Sequence, residues 1–542
     1  MTKPDVIVRN GNIRTLDGVM PSAQALAIKD GRVVALGRDD QILDMRGPQT
    51  RMVDAGGRLV LPGFQDTHIH LQDSGQRFAQ TADLTRARNV EALQQALREE
   101  AGKGDAWVKG VGWYSGAFSA NNLDRHALDA AVQDRPCYIT SSDGHNACMN
   151  SLACERIGLQ AETPDPSNGH FVRAPNGTPT GMLHEAAMDW AEQRMPKPTD
   201  EDYAHGVRYA QALCNRHGIT GVVDASVEER HARVYRKLDR DGRLTVRVGA
   251  TAKVDPHEAV VDAVNRLSQM RAESAGSMLA VHSAKFFLDG VLENRTAAML
   301  EPYSDAIGGN APLMFDHERV KELFAAFDAA RFQIHIHVIG DAALRAALDG
   351  LEHARRLNGQ WPGLHQIAHV QCMDEADIAR FSAVGAMANI QSLWARHEPS
   401  VTDVALPLVG ERRGRLMYAF RSLLDAGVSC ALSSDWGVST LNPFEIMETG
   451  CTRQPPGKPS VPVFLPEQRM TIDECVRGYT LAAAAAAWRG GTTGSLGAGK
   501  HADLIVLDRD IFLCPMHEIG ATNVLLTLLS GEEVHRSAAF DG

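Results

Sequence analysis

The sequence has no apolar run long enough to span a bilayer, no block of lysine and arginine, and no Cys-x-x-Cys pair. The first absence removes a membrane-crossing helix, which needs about 20 consecutive apolar residues. The second, with a net charge of -12, leaves nothing to hold a phosphate backbone or an anionic lipid surface. Nucleic acid and membrane are therefore not expected partners. The nine cysteines are scattered and odd in number, which argues against a disulfide framework or a zinc knuckle. They read as small buried hydrophobes, with Cys148 set apart by its place in the Asp143 to Ser151 segment. A signal peptide is not expected either, because Met1-Thr2-Lys3-Pro4-Asp5 runs straight into strand-like Val6-Ile7-Val8. The expectation is a cytoplasmic protein acting on a small molecule, with a second copy of the chain as candidate partner in a homodimer.

What is present suits a globular chain: 44% hydrophobic and 23% charged over 542 residues, enough for one large domain and a smaller one. Short strands at residues 5–8, 24–29, 32–36 and 50–54 are separated by the turn signals Asn10-Gly11, Asp17-Gly18 and Asp30-Gly31. The C-terminus returns to that style at 504–507 and 524–529. Residues 1–60 and 491–542 are thus expected to complete one small β-sandwich. Between them, apolar segments at 58–61, 219–224, 244–251, 280–287, 332–337, 366–370, 386–390 and 428–432 alternate with helical ones such as 320–330, 342–356 and 416–426. Eight such strands close a TIM (β/α)8 barrel, an α/β fold expected over 61–490. The stretch from about 74 to 202 fits no single βα unit and reads as a subdomain inserted after the first strand, with a helix at 90–100. Five prolines between Gln454 and Pro466 mark a loop expected over the barrel mouth, and Ala482 to Ala487 a packed helix continuing 471–479.

The chemistry begins at Leu61-Pro62-Gly63-Phe64-Gln65-Asp66-Thr67-His68-Ile69-His70. Strand alternation points His68 and His70 to one side, so both imidazoles can reach one metal. Among 21 histidines such a pair also arises by chance, and His335-Ile336-His337 is a second example. The stronger signal is that other ionisable residues close separate strands on the side where barrels place catalysis. Lys285 lies on the fourth strand, His337 ends the fifth, His369 ends the sixth and Asp435 follows the eighth. His335, one step deeper than His337, reads as structural.

These motifs resemble the amidohydrolase superfamily, and within it the amidohydrolase family 3 branch that includes N-substituted formamide deformylases. The resemblance runs from Asn10-Gly11 and Asp54-Ala55-Gly56-Gly57 through the Pro62 to His70 motif, Lys285 to Thr296 and His337-Val338-Ile339-Gly340-Asp341. It continues through Ser434-Asp435-Trp436, Met470 to Glu474 and Gly494 to Leu504. It implies two divalent metals bridged by a carbamate on the lysine: one metal on His68, His70, Lys285 and Asp435, the other on Lys285, His337 and His369. Bare chemistry agrees that Lys285 must lose its charge before joining, since an ammonium cannot ligate a cation. A mononuclear site with Lys285 as a substrate contact is the alternative. Zinc suits the donors, and manganese or iron would also fit.

In Asp143-Gly144-His145-Asn146-Ala147-Cys148-Met149-Asn150-Ser151 the resemblance suggests His145 as substrate or oxyanion donor, against a bland reading as a loop histidine. Trp113 and Trp436 are candidates to line the mouth, a buried structural role being the alternative. Cys148 where the family has an aromatic residue, Ser392 where a proline is usual, and Gln65 for an apolar residue all bear on the substrate pocket. The implied activity is hydrolysis of an amide, N-substituted formamide or cyclic amide C–N bond by metal-activated hydroxide, with Asp435 carrying the proton. Deamination, ester hydrolysis, or a hydration or lyase step at the same metals is the second reading. A non-catalytic assembly module is the third, disfavoured because all six ligands are present.

Overall fold

The computed structural model describes residues 3–104, 106–113, 118, 122–141, 146–167 and 169–542. Eight segments, all but the first rich in apolar residues, align in chain order as one parallel sheet: β1 (Phe64–Ile69), β2 (Ile219–Val227), β3 (Arg247–Lys253), β4 (Leu279–Phe287), β5 (Gln333–Val338), β6 (Gln366–His369), β7 (Met387–Ile390) and β8 (Cys430–Leu432). Their burial on both faces is what all-parallel sheets require. The sheet curls into a nearly closed barrel. At the seam between β1 and β8, Thr67 Oγ1 donates to Leu432 O (3.2 Å) and Asp435 N donates to His68 O (2.8 Å). The α/β barrel expected from the sequence is the observed fold.

The first expected strand is misplaced by one sheet. Leu59–Pro62 pairs antiparallel with Leu504–Leu507 and parallel with Asn12–Arg14, so it belongs to the terminal sheets, and the barrel begins at Phe64. Gly63 makes the switch. Its N–H bonds Asp503 O, whereas the next N–H, of Phe64, bonds Gly218 O at the foot of β2 (both 2.9 Å). A Cβ at Gly63 would lie 2.4 Å from Thr220 Oγ1, so only glycine allows this approach.

The two chain ends share one core. A four-stranded sheet (order Arg32–Gly37, Ala25–Lys29, Val6–Arg9, Arg51–Asp54) and a six-stranded sheet that includes Val524–Leu529 and Glu532–Arg536 bury Val8, Leu26, Val60, Leu504, Val506 and Leu526 together. Arg247 at the start of β3 clamps this region through a two-pronged, buried ion pair to Asp503 (3.0 Å each).

The chain divides into two compact units, Met1–Leu71 with Gln211–Gly542, and Gln72–Ala210. The second is built on its own six-stranded mixed sheet, running from Gly169–Arg173 to Ala82–Asp83. Its helix Val90–Ala101 starts where the Asn89 side chain accepts the N–H of Ala92. Cys148 is buried in this unit's core, and burial pushes its thiol well above the ordinary value. All nine cysteines are free. The expected helix at 416–426 is shortened to Phe420–Asp425 because Tyr418 takes a left-handed φ of 51°. Residues 472–486 form a continuous helical stretch with a π segment, Gly478–Ala482. Among the described residues no helix is long and apolar enough to cross a membrane.

Candidate metal centre

Six side chains converge at the C-terminal end of the barrel strands. His68 near the end of β1 and His70 just beyond it face the same way, with ring centres 5.8 Å apart. His68 is the hub. Its Nε2 lies 3.3 Å from Lys285 Nζ and 3.8 Å from Asp435 Oδ1, and its ring is 4.8 Å from that of His369. His369 in turn is 4.5 Å from His337, and Asp435 Oδ1 is 3.3 Å from His70 Nε2. The ligand atoms of His68, His70 and Asp435 all lie within 4.8 Å of one another. Two of the six also sit on strained backbone: His369 and Asp435 take φ of 74° and 50°, a cost often met at functional sites.

The surrounding hydrogen bonds settle which ring atoms face inward. His337 Nε2 donates to Gly290 O (3.1 Å), leaving Nδ1 with its lone pair. His369 Nδ1 donates to Gln391 Oε1 (2.8 Å), leaving Nε2. His68 Nδ1 meets His335 Nε2 at 2.9 Å, so Nε2 is the atom turned to Lys285 and Asp435. This arrangement of a ring N–H anchored behind and a lone pair in front is what a metal ligand needs. Asp435 Oδ1 is buried without a hydrogen-bond partner, an orphan that a cation would satisfy.

Burial dominates the electrostatics. It holds His68, His335 and His369 well below the ordinary imidazole value, with Lys285 adding to the effect, and brings His337 down to about 4. His70 behaves differently: burial is the largest influence and pulls it down, but the Asp435 carboxylate beside it and the charge of Asp224 together outweigh this, and the net displacement is upward. Lys285 has no exposed surface, and burial pushes its amine down to about 7, only partly opposed by Asp435. A neutral amine is therefore accessible near neutral pH. Two buried carboxylates frame the centre. Asp66 accepts the N–H groups of His68 and Ser434 (3.2 Å each), tying the His-x-His turn to the Asp435 loop. Asp289 accepts those of Ala298, Ile339 and Gly340. Burial pushes both up to about 7.

Of the other sequence candidates, Trp436 is buried beside Asp435, and its carbonyl accepts the N–H of His70 (3.3 Å). Trp113 belongs to the Gln72–Ala210 unit, where it is buried edge-on to Phe118. His145 lies outside the described residues. His335, which the sequence marks as a deeper, structural histidine, is buried and backs His68, on the same face as His337 by strand alternation. Two residues escaped the sequence reading: Trp394 stacks on His369 (5.4 Å, 13°), and Gln391 holds its Nδ1. Neither carried a signal in the sequence.

The sequence profile of the amidohydrolase family matches residues 51–535. The chain belongs to that family. Membership assigns hydrolase chemistry at the level of class. Relatives span nearly the whole length. N-substituted formamide deformylase of Arthrobacter pascens is 28% identical, covering 97% of each chain. Protein LONG AFTER FAR-RED 3 of Arabidopsis thaliana is 27% identical over 98% of this chain and 91% of its own. Among solved structures, an uncharacterized metal-dependent hydrolase from Pyrococcus horikoshii superposes with a TM-score of 0.76 at 24% identity, covering 94% of this chain and 99% of its own. That likeness bears on the fold.

Proposed function

We propose that this family member hydrolyses C–N bonds of amides, N-substituted formamides or cyclic amides. His68, His70, Lys285, His337, His369 and Asp435 hold one or two divalent ions, zinc by the preference of such donors. The observation that carries the reading is the inward-facing donor set around a wholly buried Lys285 amine and an orphaned carboxylate oxygen. The deformylase relative, aligned almost end to end, supports the choice of bond.

A divalent cation bound there supplies Lewis-acid polarisation of the carbonyl and acidifies water. Asp435 takes the proton of the attacking water on its carboxylate and returns it to the departing nitrogen as the C–N bond breaks. Lys285 joins as an anion: its amine lone pair forms an N–C bond to carbon dioxide and one proton leaves, yielding a carbamate with two oxygen donors. Asp66 keeps Asp435 and His68 in register by gripping the backbone of both loops. His145 remains the candidate donor to the substrate carbonyl, and Trp436 a candidate wall.

Elemental analysis on the purified protein, paired with a panel of amides, esters and aminated heterocycles, tests this. Amide cleavage should rise in proportion to bound metal. Active protein with well under one metal per chain would sink the mechanism, and turnover of esters alone would reassign the bond.

A further inference from the structure

Behind the six candidate ligands, a file of amides crosses the barrel interior, and its members point one way. At the N-terminal end, Gln333 on β5 directs one terminal atom at two backbone carbonyls, Leu364 O and Ala486 O (2.8 Å each). Carbonyls only accept, so that atom is the NH2 and the other is the oxygen. Gln366 on β6 meets both that oxygen (2.8 Å) and Ala486 O (3.2 Å), so it too presents its NH2 there. Asn389 on β7 then donates to Gln366 Oε1 (2.8 Å) and to the carbonyl of Thr67 (2.9 Å). Its own oxygen accepts from Gln391 Nε2 (3.2 Å) and from Ser433 Oγ (2.5 Å), and Gln391 Nε2 also reaches Ser433 Oγ (2.7 Å). Gln391 is left with Oε1 facing His369 Nδ1 at 2.8 Å. All these side chains are buried, where reversing any amide would oppose two donors or two acceptors at the cost of an unsatisfied polar group.

We propose that Gln391 is a positioning residue, and that the one-way file Gln333–Gln366–Asn389–Gln391 locks His369 as its Nδ1–H tautomer before any metal arrives. The inference rests on the metal-centre reading given above. An imidazole that keeps its proton on Nδ1 offers Nε2 to a cation without rearrangement. One free to exchange tautomers must first be trapped in the competent form, which weakens binding. Polar residues in a barrel interior that hydrophobic layers ordinarily fill gain a purpose: they carry orientation from fixed backbone carbonyls at one end to a ligand at the other.

The test uses the full-length, metal-free protein with 15N-labelled histidine. Long-range proton–nitrogen correlations report which ring nitrogen carries the proton, and the His369 signal is identified by its loss in His369→Gln. The wild type should show Nδ1–H. Gln391→Met, which removes the acceptor, should release the Nε2–H form and weaken zinc binding, read by chelator competition, by about 10–100-fold. Gln391→Glu keeps an acceptor and should retain the Nδ1–H tautomer. Ser433→Ala, a milder cut in the same file, should weaken zinc less than Gln391→Met. A wild-type His369 carrying its proton on Nε2, or unchanged zinc affinity in Gln391→Met, overturns the proposal. Wild type that holds Nδ1–H yet takes up no zinc would instead sink the metal centre and leave the tautomer assignment standing.

Discussion

Replacing Lys285 by methionine should stabilise the metal-free protein, although it removes a proposed ligand. Lys285 is wholly buried, with His68 Nε2 at 3.3 Å and the Phe287 ring centre at 4.8 Å. Burial carries its amine from 10.5 down to about 7, a displacement equivalent to about 5 kcal/mol. In the unfolded chain the amine stays protonated up to about 10.5, so between about pH 7 and 10.5 the unfolded state binds more protons than the folded one. Stability therefore rises with pH across that window, and below pH 7 the full cost of a buried cation is present. Methionine has nearly the same length and no charge, so Lys285→Met escapes that cost. Its relief of the neighbouring imidazoles, which Lys285 pushes down, acts in the same direction. Chelated protein in buffer free of carbon dioxide should melt higher as the variant than as the wild type, by about 4 °C at pH 6 for a chain of this size, with the gap closing towards pH 10. A variant less stable than wild type at pH 6, or a gap independent of pH, would refute the reasoning.

Two further outcomes follow from named contacts. Asp435→Asn keeps the shape of the side chain and removes the proton acceptor, so kcat should fall by about 10²–10⁴-fold while metal, assayed on the same preparation, stays bound. Near-wild-type kcat in a metal-replete variant would move the proton transfers elsewhere, with His145 next. Asp503→Ala strands Arg247, whose two prongs it accepts while also taking the N–H of Ser530. Leaving a buried charge unpaired should cost about 3–5 kcal/mol in a urea titration, and a loss under 1 kcal/mol would show that water reaches the pair.

Much of this protein was legible in one dimension because its signals are local. Seven of the eight barrel strands announce themselves as apolar runs of the right length, and period-two alternation puts His68 and His70 on one side of their strand. Lys285, His337, His369 and Asp435 stand out as ionisable residues at the ends of otherwise apolar segments. The pattern failed where a partner far along the chain decides. The run at 58–61 reads as the first barrel strand because it is apolar, whereas Phe64–Ile69 carries Gln65, Asp66, Thr67 and His68. Only the competing carbonyls of Asp503 and Gly218 divide the two segments between separate sheets at Gly63. Gln333, Gln366, Asn389 and Gln391 are single polar residues scattered over some sixty positions. Nothing in their spacing tells which of them touch, since strand neighbours in a parallel barrel come from separate βα units. The sequence by itself therefore determined the class of fold and the residue types available for the site. The tertiary structure alone decided which ring nitrogen each histidine turns inward, because that depends on the direction of hydrogen bonds between strands that meet only when the barrel closes.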